Sequence, residues 1–402
     1  MLNCITRLII GKVINNRKNM DIYEQSLLFH EKVKGKLSVK SKVKLETRED
    51  LSLAYTPGVA EPCRRIQQDN DLAYKYTIKG NSVAVITDGS AVLGLGNIGS
   101  LAGLPVMEGK AILFKEFAGI DAYPICLAEQ SVEKTIETVK NIAPSFGGIN
   151  LEDIKAPECF EIENALQDLG IPVFHDDQHG TAIVVLAGLI NALRVVGKSK
   201  EKVKVVVNGA GAAGIAITKL LIEYGFDSAN FLMLDSKGII FKGRDDLVEN
   251  KYKMKMAEIT NKNILKGDLA QAMDKADIFI GVSVKNIVNQ DMIRSMNGKS
   301  IIFAMANPEP EIMPDLALEA GAMVVATGRS DFPNQVNNVL VFPGIFRGAL
   351  DMRAKTISLK MKLVAAEALA GVVTNPTVEH ILPSPLEKDV SKVIAEAVMK
   401  VG

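Results

Sequence analysis

Three acids in two short runs stand where apolar sequence breaks off: Glu152 and Asp153 in Asn150-Leu-Glu-Asp-Ile154, and Asp176 or Asp177 in His175-Asp-Asp-Gln178. Adjacent carboxylates at element ends are costly unless a cation or hydrogen bonds compensate them. Hard oxygen ligands of this kind suit Mg²⁺ or Mn²⁺, which keep positions open for water and substrate. Helix caps and surface acids produce the same spacing, so the pattern alone does not choose between Asp176 and Asp177. Lys110, in Met107-Glu-Gly-Lys110, and Tyr55, in Ala54-Tyr-Thr-Pro-Gly58, are proton-holding groups. Either residue alone reads as structural. Beside a divalent cation, desolvation and positive charge lower a lysine pKa and make a neutral amine available as a base. Ala306-Asn-Pro308 and Gln335-Val-Asn-Asn338 put Asn307 and Asn338 at strand ends, where α/β sheets bind ligands and an amide can orient a carboxylate. His175-Asp-Asp-Gln-His179 imitates a zinc HExxH. Extended sequence before it and Gly180 after it argue against the helix that motif needs.

Two segments spell GxGxxG, and only Gly209-Ala-Gly-Ala-Ala-Gly214 has the right surroundings. It follows the apolar run Val203–Asn208, opens a helix-patterned stretch, and precedes a second apolar run, Phe231–Leu234, ending in Asp235. That is a βαβ unit with its ribose acid. Gly209 permits the tight turn, Gly211 admits a pyrophosphate, and Gly214 lets helix and strand approach. Ala210, Ala212 and Ala213 complete the loop, whose helix amino end offers unpaired N–H groups. Asp235-Ser-Lys-Gly238 leaves NAD against NADP open: the carboxylate suits NAD, and Ser236 with Lys237 suits a 2′-phosphate. The other run, Gly94–Gly99, reads as a backbone-exposing loop near the active site, or equally as a plain loop or bulge.

The elements that must position these residues alternate. Strands are expected at 83–87, 111–114, 123–127 and 172–175, and again at 203–207, 231–234, 278–282, 300–304 and 323–326. Helices are expected over 21–34, 131–143 and 182–196, with helix, Pro-rich turn and helix in the tail. This rhythm is that of an α/β protein with a doubly wound, Rossmann-like parallel sheet and a second α/β layer before it. At 402 residues two domains are the default. The expected division is an extension over 1–19, a catalytic substrate and metal domain over 20–181, and a dinucleotide domain over 182–402. Helices from about 345 are candidates for packing back on the first domain. Lys plus Arg equal Asp plus Glu at 47 each, which argues against a nucleic-acid partner. No apolar run reaches the ~18 residues of a membrane span. Cys4, Cys63, Cys126 and Cys159 lack CxxC spacing, as suits a reducing, cytoplasmic compartment. The acid-free start with Arg7, Lys12, Arg17 and Lys18 reads as an extended or misassigned start in preference to an organellar import leader.

Taken together, Ala54–Pro62, Met107–Lys110, Asn150–Ile154, His175–Ala182, Gly209–Gly214 and Asn337-Asn-Val-Leu-Val-Phe-Pro-Gly344 closely resemble the malic enzymes of the short bacterial type, from Met20 onward. The resemblance implies oxidative decarboxylation of (S)-malate to pyruvate and CO₂ with NAD or NADP and a divalent metal. It also implies Glu152, Asp153 and Asp177 as metal ligands, Lys110 as general base, Tyr55 as general acid, and Asn307 and Asn338 as substrate amides. Asp176 then stands behind the ligands. A small-molecule substrate and a homodimer with Tyr55 donated across the interface follow from the same likeness. One departure is that longer relatives carry an arginine for the malate carboxylate where Ser90-Ala-Val-Leu93 has none; Arg329 is the substitute candidate.

Overall fold

The computed structural model describes residues 21–387 and 389–402, so the 1–19 extension lies outside the described residues. The chain forms two compact units, one up to Ala60 and one over Glu61–Gly402. In the first, helix α1 (Ile22–Val33) starts where the Asp21 carboxylate accepts the Glu24 N–H and stops at Lys34 in the left-handed region. Helix α2 (Arg48–Ala54) is opened by a reciprocal cap between Thr47 and Asp50. Tyr55 closes α2, immediately before the cis Thr56–Pro57 bond. No residue between 21 and 60 is buried.

The second unit holds two parallel sheets. In the first, β1 (Ser82–Thr87), β2 (Asp121–Cys126), β3 (Gly148–Leu151) and β4 (Val173–His175) lie in the order β2-β1-β3-β4. In the second, β5 (Val205–Asn208), β6 (Phe231–Asp235), β7 (Gly238–Ile239), β8 (Ile278–Gly281), β9 (Ile301–Ala304) and β10 (Val324–Thr327) lie in the order β10-β9-β8-β5-β6-β7. Only the edge strand β7 runs antiparallel. Every residue of β5, β8, β9 and β10 is buried, because helices cover both faces of a parallel sheet and leave no polar side.

Two expected elements differ. Residues 111–114 are not a strand; they belong to helix α3 (Ser100–Ala118), which contains Pro105. Its buried residues, Gly103, Met107, Lys110, Ala111 and Phe114, recur at helical spacing and form one face. After helix α4 (Glu158–Leu166) and β4, helix α5 spans Asp176–Val196 and so begins six residues before the expected 182. The 181/182 division therefore falls inside one continuous helix. Gly180 is no breaker there, since a β-carbon would overlap Oδ1 of Asp176. By length and hydropathy (1.7) α5 could cross a membrane, although no apolar run was expected to reach that length; 72% of its apolar window is buried in this fold.

Helix α6 (Ala212–Glu223) follows β5. The tail contributes α7 (Phe342–Asp351), α8 (Leu359–Val372) and α9 (Val390–Met399). Phe342 and Phe346 of α7 meet Phe114 of α3 at 4.7 and 5.3 Å, and Phe346 meets Phe174 of β4 at 5.8 Å. The chain after β10 thus returns to the first sheet.

Candidate active site

Lys110 sits on the buried face of α3 with its ammonium turned toward the carboxyl ends of β3 and β4. Nζ lies 2.9 Å from Oε1 of Glu152 and 2.7 Å from Oδ2 of Asp176, over the Phe342 ring at 4.3 Å from its centroid. Burial works against the ammonium, yet Asp176 and Glu152 outweigh it and hold the amine charged, well above its ordinary value.

Glu152 and Asp153 leave the end of β3. The Glu152 N–H continues the ladder to the Ile86 carbonyl, and its Oε2 accepts from the Asn150 side-chain amide at 2.8 Å. Asp153 takes a positive φ of 54°, which turns its N–H onto Oδ2 of Asp177 at 2.8 Å. The first glycine loop, taken from Ser90 to Gly99, braces this corner: Ala91 N–H donates to the Asp153 carbonyl, and Ser90 Oγ accepts the Lys155 N–H. Glu152, Asp153 and Asp177 each bring a carboxylate oxygen to within 4.8 Å of the others. Ligands on opposite sides of a Mg²⁺ at about 2.1 Å are about 4.2 Å apart, so this cluster has the span and the hard-oxygen chemistry for such an ion. Burial and mutual repulsion lift Glu152 and Asp176 to about 7 against the pull of Lys110. Asp177, about a third exposed, is lifted by burial to about 6. Four carboxylates around one ammonium leave a deficit of positive charge, which a divalent cation would fill.

Behind the acids lies a buried polar network. His175 ends β4 with neither ring nitrogen hydrogen-bonded, and burial lowers it to about 4, keeping it neutral. Oε1 of Glu163, on α4, accepts the His175 N–H at 3.1 Å; Oε2 meets Gln178 Nε2 at 3.2 Å and His179 Nε2 at 3.0 Å. Burial opposes the Glu163 charge, but His179, through charge and hydrogen bond, and Lys362 outweigh it and hold the carboxyl at about 2.

The second glycine loop connects β5 to α6. Gly209 has φ 118°, and a β-carbon there would meet the Val282 carbonyl at 2.5 Å. Gly214 packs on the Gly209 carbonyl, whereas space is open around Gly211, at the uncapped helix start. One glycine turns, one packs, and one leaves room for a pyrophosphate. Ala210 is buried, and Ala212 with Ala213 opens the helix. Asp235 ends β6, where Lys237 N–H, Arg244 and Lys253 all donate to its carboxylate; against burial, these donors hold it at about 2.

The amides arrive from two directions. Asn338 opens a short 3₁₀ turn with its Cβ against Gly180 of α5, beside Asp176. Asn307 follows β9, its side chain against Gly328 and its carbonyl where a β-carbon on Gly94 would stand. The first glycine loop therefore touches Asn307 at one end and the Asp153 corner at the other. Arg329 forks onto Asp331 at 2.8 and 2.6 Å. Tyr55 belongs to the first unit, 66% exposed, its N–H on the Leu51 carbonyl.

Residues 178–402 match the family described as malic enzyme, NAD binding domain, and residues 34–132 and 127–167 match malic enzyme, N-terminal domain. This chain belongs to the malic enzyme family. It is 57% identical to the bifunctional malic/malolactic enzyme of Bacillus subtilis, covering 95% of this chain and 93% of that one. It is 53% identical to the NAD-dependent malic enzyme of Geobacillus stearothermophilus over 97% and 80% of the two chains. With the NADP-dependent malic enzyme of Halomonas elongata it shares 50% over 94% of both. Among solved structures, the NAD-dependent malic enzyme of Thermotoga maritima superposes with a TM-score of 0.90 at 51% identity, covering 95% of this chain and 99% of that one. The malic enzyme of Pyrococcus horikoshii gives 0.90 at 49%, over 94% and 90%.

Membership of the malic enzyme family makes the chain an oxidoreductase with an NAD(P)-binding domain. Sequence reasoning missed Glu163 and Phe342. Phe342 stood inside the Asn337–Gly344 motif, and an apolar residue there carries no sign that a cation rests on its ring. Glu163 lies in an ordinary amphipathic helix, so only its burial distinguishes it.

Proposed function

We propose that this chain oxidatively decarboxylates (S)-malate to pyruvate and CO₂ with reduction of NAD⁺ or NADP⁺, using Mg²⁺ or Mn²⁺. The observation that carries the reading is the single carboxylate of Glu152, shared between Lys110 and the three-acid cluster. Glu152, Asp153 and Asp177 would hold the cation, whose positive charge would serve there to polarise the malate C2 oxygen and to offset the negative charge left on it by CO₂ loss. Lys110 takes the C2 hydroxyl proton as hydride leaves C2. For that it must be neutral. A cation on Glu152 would loosen the pairing that keeps the amine charged, while Asp176 and the Phe342 ring keep Nζ in place. Asn307 and Asn338 orient the substrate carboxylates, and Tyr55 returns a proton to C3. Gly209–Gly214 receives the pyrophosphate, and Asp235 lies at the adenosine ribose.

We further propose a homodimer in which a second copy covers residues 21–60 and receives Tyr55. Ile22, Leu27, Leu53 and Tyr55 are each about two-thirds or more exposed in the single chain, an apolar surface that asks for a partner. The likeness to the bifunctional malic/malolactic enzyme of Bacillus subtilis favours a second activity here: with reduced cofactor still bound, its hydride would return to the pyruvate carbonyl carbon and a proton to the oxygen, releasing lactate and restoring oxidised cofactor.

The test is incubation with (S)-malate and MnCl₂, with NAD⁺ and NADP⁺ in parallel, following pyruvate, lactate, CO₂ and reduced cofactor. Equimolar pyruvate, CO₂ and reduced cofactor are expected. Reduced cofactor without CO₂ would mean a plain dehydrogenase, and cofactor binding with no turnover would mean a sensor; either result ends the reading.

A further inference from the structure

We propose that Glu163 is a positioning residue for the cation site, acting as a helix cap supplied from α4 to the first turn of α5. The inference rests on the reading of Glu152, Asp153 and Asp177 as cation ligands. Helices that begin with a capping box have the side chain three residues into the helix reach back and accept the N–H of the capping residue. In α5 the capping residue is His175, which offers no side-chain cap, and the third residue is Gln178. Gln178 does not reach back. Its amide donates to Oε2 of Glu163, and Oε1 of Glu163 accepts the His175 N–H in its place. His179, with its ring 5.4 Å from that of Phe174, adds a third donor.

One buried carboxylate therefore grips residues 175, 178 and 179. Asp176 and Asp177 lie between these grips, so the direction of both acids is fixed by a group that touches neither. Asp177 then accepts the Asp153 N–H, and Asp153 lies ten residues before Glu163 on the same connection from β3 to α4. The arrangement is a closed frame: β3 end, α4, α5 start, and back. Without the carboxylate, the buried His175 N–H loses its acceptor and the turn must shift to find another. Partners that hold ligating groups from behind are typically worth about 10- to 100-fold in metal affinity.

The test is Mn²⁺ titration of the full chain without malate or cofactor, with free Mn²⁺ read by electron paramagnetic resonance. Wild type, Glu163→Gln, Asp177→Asn and Asn191→Ala are compared, with Tm measured for each. Asn191 is a buried amide holding the Ala370 and Ile381 carbonyls, away from the acids, and serves as the structural control. Glu163→Gln is expected to weaken Mn²⁺ binding about tenfold or more. Asn191→Ala is expected to lower Tm and leave Mn²⁺ affinity unchanged. Wild-type Mn²⁺ affinity in a folded Glu163→Gln overturns the proposal while leaving the cation site standing. Should that variant not fold, His179→Gln, which removes one donor at the network's rim, is expected to weaken binding a few-fold, and wild-type affinity there overturns it equally. If Asp177→Asn binds Mn²⁺ like wild type, the cation-site reading falls and takes this inference with it.

Discussion

Lys110 and Asp176, 66 residues apart in sequence, meet at 2.7 Å, while the next residue, Asp177, turns the other way to take the Asp153 N–H. One helical turn thus serves two tasks through adjacent acids. Asp176 faces the amine and Asp177 faces the Glu152–Asp153 corner.

That division separates the effects of two like substitutions. Asp176→Asn leaves Lys110 with Glu152 alone, so kcat should fall about 100-fold, the lower range for a displaced general base, with Mn²⁺ affinity within a few-fold of wild type. Asp177→Asn should instead weaken Mn²⁺ at least tenfold. Steady-state kinetics with Mn²⁺ titrations of both variants make the comparison. Equal losses of Mn²⁺ affinity would show that both acids hold the ion.

The raised carboxyls also set a pH dependence. Glu152 and Asp176 near 7 and Asp177 near 6 lie above their unfolded values, so the folded state binds more protons. Their stabilising contribution is complete below about pH 4 and is lost as pH rises through 6 to 7. Glu163, held at about 2, acts oppositely: its contribution is present above its unfolded value and is lost on acidification toward 2. A divalent cation competes with protons for Glu152 and Asp177, the two raised acids of the cluster. The rise in Tm on adding MnCl₂ should therefore grow from pH 5.5 to pH 8. Paired thermal melts across that range read it directly, and an increment that does not change with pH would contradict the assignment.

The last two glycines of the loop should answer the same substitution differently. A β-carbon on Gly214 overlaps the Gly209 carbonyl, so Gly214→Ala should lower Tm by several degrees along with cofactor binding. Space around Gly211 is open, so Gly211→Ala should keep Tm and raise the NAD(P)⁺ Kd about tenfold by intruding where a pyrophosphate lies. Melting curves and cofactor titrations distinguish the pair. Unchanged cofactor affinity in Gly211→Ala would move the pyrophosphate elsewhere.

The second sheet was legible because β5, β6, β8, β9 and β10 are short, unbroken apolar runs, and all but β9 end in a polar residue or glycine. The first layer was harder. Ala111-Ile-Leu-Phe114 is a four-residue apolar run with no period of its own; only the wider spacing from Gly103 to Phe114 reveals a helical face. Gly180 misled in the same way, since its small size answers to Asp176 and Asn338, which are invisible to a local reading. Acids, lysine and amides could be named from their motifs. The Lys110–Asp176 pairing and the grip of Glu163 depend on long-range contacts, which no local pattern encodes.

Tyr55 yields the last prediction. It ends α2 in a unit that buries none of its described residues, which is why the proposed dimer assigns it to the neighbour's site. In a two-fold symmetric dimer each site would combine Lys110 of one copy with Tyr55 of the other. Tyr55→Phe and Lys110→Ala chains should each be nearly inactive as homodimers. Randomly mixed, half of the dimers would be mixed, and each of those would hold one intact site and one doubly damaged site. Activity should thus recover to about a quarter of wild type in the unsorted mixture and to about half in the isolated mixed dimers. The measurement is turnover after co-refolding two differently tagged chains and isolating the doubly tagged species. If that species is as inactive as its parents, Tyr55 acts within its own chain, and the exposed apolar surface of residues 21–60 needs another explanation.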